Sequence, residues 1–171
     1  MVKAILEGRK TQTRRVIKPQ PVWDLESSFW KAEDWLTHCP YGQVGDRLWV
    51  RETWSYGTKN QQPNGVIYKA DGTLLPDSLA RGSYSATQGW GKWSPSIFMP
   101  KWAARTWLEI TKERVERVQE ITREDIEREG CSNAVNNSLF FPKVWDSLNA
   151  KRGFGWDTNP WVWVIGFKKC D

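Results

Sequence analysis

The sequence of 171 residues predicts an α+β fold, a small β-barrel decorated by short helices. Three observations lead to this prediction. Residues 47–54 alternate in polarity, which is typical of a strand with one buried face. Residues 161–167 are almost continuously hydrophobic, as expected of a strand buried on both faces. Short amphipathic stretches bounded by capping residues indicate helices around these strands.

The predicted helices have recognisable ends. Val2–Leu6 has apolar residues at helical spacing, and Gly8 is placed to end that helix in a left-handed conformation. Thr122 begins a second helix through a capping box, and Gly130 ends it. A third helix is expected from about residue 139 to residue 149.

Strands and turns account for most of the remaining chain. Strands are expected over residues 47–54, 66–70, 105–111, 114–119 and 161–167. Residues 55–92 are rich in Gly, Ser, Gln and Asn, so we expect a loop-rich insertion there with 66–70 as its one strand. The length favours a single domain over residues 1–171.

Composition points weakly towards a polyanionic partner. Lys and Arg number 25 against 20 Asp and Glu, which gives a net charge of +5. This excess favours nucleic acid, although a solvated basic face is the plainer explanation. The chain has 13 tryptophans, which suit ligand surfaces as well as cores. We expect most of them, Trp161 and Trp163 included, to fill the core.

The cysteines and the lone histidine argue against a metal site. Cys39, Cys131 and Cys170 form no paired motif and read as reduced thiols, which favours a cytoplasmic protein. A site built from Cys39 and His38 would lack further ligands, so neither a metal nor another cofactor is expected. No apolar run is long enough to span a bilayer, so a membrane partner is not expected either.

Residues 8–15 (GRKTQTRR) are the most informative segment. They place four cations and two hydroxyls beside a glycine, a composition suited to binding anionic oxygens. Residues 45–54 interleave cations with aromatic rings, which suits phosphate binding and base stacking. The candidate nucleic-acid contacts are Arg9, Arg14, Arg15, Arg47, Trp49, Arg51, Trp93, Lys101 and Trp102. Ordinary surface salt bridges are the alternative for the arginines.

Three segments together resemble the ASCH domain family, and the likeness is greatest to members carried by phages and prophages. They are residues 8–15, residues 45–50 (GDRLWV) and residues 163–167 (WVIGF). The family is similar in fold to PUA domains, so the resemblance implies a PUA-like barrel with a basic cleft. It implies RNA, DNA or a nucleoside as the partner. Family members have a strand before the first helix, so this chain, which opens within that helix, is expected to lack an edge strand.

One branch of the family implies catalysis. Its members hydrolyse the amide of acetylated cytidine without a metal, and their Lys-Thr-x-Thr segment matches residues 10–13 here. The resemblance therefore implies Lys10, Thr13 and Glu129 as catalytic residues, with ribonuclease activity as a variant. A desolvated amine among other cations releases its proton more readily, and a helix C-terminus disfavours a carboxylate. Glu124 and Glu127 compete with Glu129 for its role.

Three hypotheses follow from the sequence. The broadest is a domain that binds nucleic acid or a modified nucleobase. The sharpest is the amidohydrolase, for which a phosphate-binding Lys10 and a backbone-capping Thr13 are the plainer alternatives. The third is a phage accessory or assembly protein whose tryptophans contact another protein.

Overall fold

A computed structural model describes residues 1–21, 35–59, 62–76, 92–131 and 137–170. Within them the helices are α1 Val2–Leu6, α2 Arg123–Arg128 and α3 Asn137–Asn149. The strands are β1 Gln12–Val16, β2 Arg47–Trp49, β3 Trp54–Lys59, β4 Gln62–Tyr68, β5 Leu74–Pro76, β6 Trp107–Arg117 and β7 Trp161–Cys170. Single turns of 3-10 helix separate several of these elements. The mixture agrees with the predicted α+β class.

The chain forms two compact units. Apart from the chain ends, the first comprises Lys3–Leu48 and Glu109–Lys169, and the second comprises Trp49–Leu108. One sheet has the order β1-β7-β6-β2 and curls into an antiparallel half-barrel, while β3-β4-β5 form a smaller sheet. The single domain expected over residues 1–171 stays a prediction.

The pairing of β1 with β7 gives the half-barrel two different faces. Arg14 pairs with Val164 and Thr13 pairs with Ile165 in an antiparallel register. Val164 belongs to a core with residues from α2 and α3, whereas Ile165 packs with Trp163 in a separate core. Both faces of β7 are therefore covered, as its hydrophobic sequence predicted.

The second unit contains more strands than the single strand expected within residues 55–92, and the loop-rich insertion stays a prediction. Its described part, which omits 60–61 and 77–91, contains most of β3 and all of β4 and β5. Val66 and Tyr68, where a single strand was expected, are fully buried against Trp54 and Met99. Glycine and polar residues lower strand propensity, but pairing with β3 and burial of this apolar face outweigh it.

Other strand boundaries also differ from expectation. The strand expected over 47–54 is interrupted, because β2 ends at Trp49 and β3 begins at Trp54. The two strands expected over 105–119 are one, since β6 runs without a break from Trp107 to Arg117. The basic segment 8–15 contains β1, which was not predicted because its charged side chains hid the alternation of polarity.

The helix ends were predicted well. Thr122 accepts a hydrogen bond from the Asp125 N–H through its hydroxyl at 3.2 Å, as an N-cap does. Gly8 has φ +72° and Gly130 has φ +82°, so both adopt the left-handed conformation that ends a helix. The third helix begins at Asn137, two residues before its expected start.

Gly130→Ala is expected to destabilise the protein more than Gly8→Ala. Both substitutions place alanine in a left-handed conformation, at a cost of about 1–2 kcal/mol. At Gly130 the new Cβ would also lie 2.9 Å from Cβ of Lys10, whereas at Gly8 it meets nothing within 4 Å. Urea unfolding measures the difference, and equal losses would contradict the close packing at Gly130.

Candidate functional site

Lys10 and Glu129 form a buried ion pair in the first unit. Lys10 Nζ lies 2.7 Å from Glu129 Oε2 and donates a second hydrogen bond to the Glu129 backbone carbonyl at 2.9 Å. Lys10 is only 5% exposed. The two residues also form an isolated β-bridge, which fixes their backbones side by side. Residues 119 apart in sequence thus meet, as the resemblance implied for this pair.

Arg14 joins the pair to two further carboxylates. Its Nη1 lies 3.3 Å from Glu129 Oε1 and its Nη2 lies 2.9 Å from Asp125 Oδ2. Nη2 also donates to Glu116 on β6. The Arg14 side chain is 1% exposed. Its charge is therefore neutralised by these carboxylates and not by solvent. This placement does not fit the predicted phosphate contact.

Arg114 completes the network on the β6 side. Its guanidinium donates to Glu116 at 2.7 Å, to Asp125 at 2.5 Å and to Gln12 Oε1 at 3.2 Å. Burial opposes ionisation of Asp125, but hydrogen bonds from Arg14 and Arg114 outweigh it and lower the pKa of that carboxyl. Three cations face three carboxylates within this network, and Nη1 of the exposed Arg128 lies 3.8 Å from Asp125 Oδ1 at its edge.

Thr13 lies on the other face of the sheet. Side chains alternate along β1, and Arg14 points towards Glu129. Thr13 pairs with Ile165, so its side chain faces the core that contains Trp163. The structure therefore brings Lys10 and Glu129 together but does not bring Thr13 to them. Thr13 was included because residues 10–13 match the Lys-Thr-x-Thr segment. Such a match compares residue types in order and does not show which face of a strand each side chain occupies.

The other predicted contacts in residues 8–15, which are Arg9 and Arg15, are at the surface, as is Arg47. Arg9 donates to Glu7 at 2.8 Å through its Nε, in an exposed pair. Arg15 is exposed on β1, and Arg47 is exposed on β2. Of the four cations in this segment, Arg15 is therefore the one best placed to reach a ligand.

The alternation predicted for residues 47–54 is confirmed although the strand is interrupted. Arg47 and Arg51 are exposed, whereas Val50, Glu52 and Trp54 are buried. The Arg51 guanidinium carbon lies 4.7 Å from the centroid of the Trp49 ring, which it stacks against.

Two further surface lysines pair with aromatic rings in the second unit. Lys69 Nζ lies 5.9 Å from the ring of Trp93, which is 40% exposed. Lys101 Nζ lies 5.4 Å from the ring of Trp107. Trp102, a predicted stacking residue, instead packs edge-on against Trp54 and belongs to the margin of the core.

A second charge network in this unit was not anticipated from the sequence. Arg105 donates to both oxygens of the buried Glu52 at 2.9 and 2.7 Å, and to Asp71 at 2.8 Å. The hydrogen bond from Arg105 lowers the pKa of Asp71 to about 2. Burial raises the pKa of Tyr68, whose ring lies under Arg105, to about 12. A buried Glu within an apolar face was the available signal, since such a charge needs a partner.

The described residues contain no group of three or more His, Cys, Asp or Glu side chains placed to hold a metal ion. Within the same ranges, no helix is both long and apolar enough to span a bilayer. Burial raises the pKa of the Cys39 and Cys131 thiols, which favours their protonated form.

Comparisons with protein-family models, with curated proteins and with solved structures gave no match.

Arg14→Met is expected to lower the free energy of unfolding by about 3–5 kcal/mol, because it leaves carboxylates buried without their shared cation. Arg15→Met is the matched control, with an expected change within about 0.5 kcal/mol since Arg15 is exposed. Urea unfolding of both variants measures the effect. Similar values for the two would show that Arg14 does not hold the network together.

Proposed function

We propose that the chain is a nucleic-acid-binding domain of the ASCH type, with a PUA-like fold, that binds RNA, DNA or a modified nucleobase. The observation that carries this proposal is the set of cation–ring pairs at the surface of the second unit. Arg51 with Trp49, Lys69 with Trp93 and Lys101 with Trp107 each combine a phosphate-binding charge with a flat ring.

The exposure of these cations supports a binding surface. With Arg105 over Tyr68, four cation–ring pairs lie in the described part of Trp49–Leu108. The Arg105 pair belongs to a charge network with Glu52, but Arg51, Lys69 and Lys101 are exposed.

The charge of residues 8–15 contributes less to this function than the sequence suggested. Lys10 and Arg14 are neutralised by buried carboxylates, and Arg9 is paired with Glu7. The net charge of +5 over the whole sequence still favours a polyanionic partner. The exposed cations of the predicted set that have no ion pair with a carboxylate among the described residues are Arg15, Arg47, Arg51 and Lys101.

Arg51→Ala is expected to weaken binding of a labelled oligonucleotide about fivefold and to reduce the slope of log affinity against log salt by roughly 0.7–0.9, because one phosphate contact is lost. Fluorescence anisotropy with RNA and DNA oligonucleotides at several salt concentrations measures both. Arg152→Ala removes an exposed cation from the first unit and is the matched control. Binding that does not depend on salt, or equal effects of both variants, would count against the proposal.

Hydrolysis of an acetylated cytidine is a second candidate, favoured by the buried contact between Lys10 and Glu129. Arg14 Nε and Gln12 Nε2 are buried donors without a hydrogen-bond acceptor among the described residues. A substrate carbonyl is one acceptor that could satisfy them, with Glu129 serving as base. Ribonuclease action is the variant of this candidate. A substrate would have to displace part of the network, since Lys10 is buried.

If the second candidate holds, Lys10→Met and Glu129→Gln are expected to abolish release of acetate from acetylated cytidine. Thr13→Val is expected to retain it, because Thr13 lies on the opposite face of β1. Chromatographic detection of cytidine measures turnover, and circular dichroism checks that each variant is folded. Loss of turnover in Thr13→Val alone would contradict the assignment of roles by face.

A further inference from the structure

Ile97 and Phe98 are the most exposed large apolar side chains of the second unit within its described residues. They are 67% and 70% exposed and lie together in the 3-10 turn Ser96–Phe98. Water contact at two adjacent large apolar side chains is unfavourable, which makes this pair a candidate surface for contact with another molecule.

The turn is anchored at both ends, so it presents these side chains from a fixed backbone. The Phe98 N–H donates to the Pro95 carbonyl at 3.0 Å, and the Met99 N–H donates to the Ser96 carbonyl at 3.1 Å. The Met99 side chain, which follows Phe98 directly, is buried in the core of the unit. A fixed backbone reduces the conformational entropy that binding would otherwise remove.

A cation and an aromatic ring adjoin the turn. Arg51 Nη1 donates to the Ile97 carbonyl at 3.2 Å, and the same guanidinium stacks on the Trp49 ring. Apolar side chains, a ring and a positive charge therefore lie within one short stretch of surface. A purely apolar partner would leave Arg51 without an anion, and a purely anionic partner would leave Phe98 in water.

We propose that Phe98 and Ile97 bind the unpaired bases of a single-stranded nucleic acid, and that they make this surface select single strands over duplexes. This inference rests on the proposed nucleic-acid binding and specifies that the ligand is single-stranded. Every unpaired base offers a flat face for stacking on Phe98, while its phosphates reach Arg51. In a duplex these faces are stacked within the helix, so only the cations can contact it.

The test compares one labelled RNA oligonucleotide of about 12 nucleotides, designed without internal pairing, with the duplex that it forms with its complement. Fluorescence anisotropy at about 50 mM salt gives the affinity of the wild-type chain, Phe98→Ala and Phe140→Ala for each. Phe140 is 56% exposed on α3 in the first unit, so it controls for loss of an exposed phenylalanine. Urea unfolding checks that both variants fold.

The wild-type chain is expected to bind the single strand about tenfold more tightly than the duplex. Phe98→Ala is expected to lose about tenfold for the single strand and little for the duplex, and Phe140→Ala little for either. Equal affinities for strand and duplex, or equal losses for both in Phe98→Ala, would overturn the inference and leave nucleic-acid binding standing. Absence of binding to either at low salt would overturn both proposals. A dimer seen by sedimentation that Phe98→Ala dissociates, without strand preference, would assign the turn to protein contact and reject the inference.

Discussion

The ion pairs of the buried Arg14 guanidinium with three carboxylates are the interactions on which the first unit depends. It connects β1 to Glu116 on β6 and to Asp125 on α2, and it reaches Glu129 just beyond that helix. A buried charge destabilises the fold strongly unless opposite charges neutralise it. Sheet and helix must therefore take up their positions together for any of these groups to be satisfied. Gly130, which follows α2, packs against the side chain of Lys10, so that a Cβ at this position would lie 2.9 Å from Lys10 Cβ. The end of α2 is therefore packed against the same ion-pair network.

Two groups of basic residues differ in what neutralises them. Arg14 on β1 and Lys10 just before that strand are paired with buried carboxylates. Cations of the second unit, such as Arg51 and Lys101, rest on aromatic rings at the surface and keep their charge available. The first group is largely neutralised by carboxylates, so the proposed attraction of a polyanion draws on exposed cations such as Arg15, Arg47 and those of the second group. The candidate for catalysis and the candidate for binding consequently draw on different residues.

The features that the sequence predicted correctly are those that depend on neighbouring residues. The cap at Thr122 and the left-handed Gly8 depend on a few neighbouring residues, and both were predicted correctly. The alternation around Arg51 was also local and is present. β1 was missed because its buried side chains are charged, and burial of charge follows from partners more than 100 residues away. The strands around Val66 were undervalued because their stability comes from pairing and a shared core.

By itself the sequence determined the class of fold, the helix ends, the strand over residues 161–167 with two buried faces, and the excess of positive charge. These properties depend on spacing, capping chemistry and composition, which neighbouring residues express directly. Only the tertiary structure decided that Lys10 meets Glu129, that Thr13 faces away from them, and that Arg14 is neutralised while Arg51 is not. The physical reason is that neighbouring groups decide whether a charged side chain is neutralised or available to a ligand. Strand register and helix placement determine which groups are its neighbours.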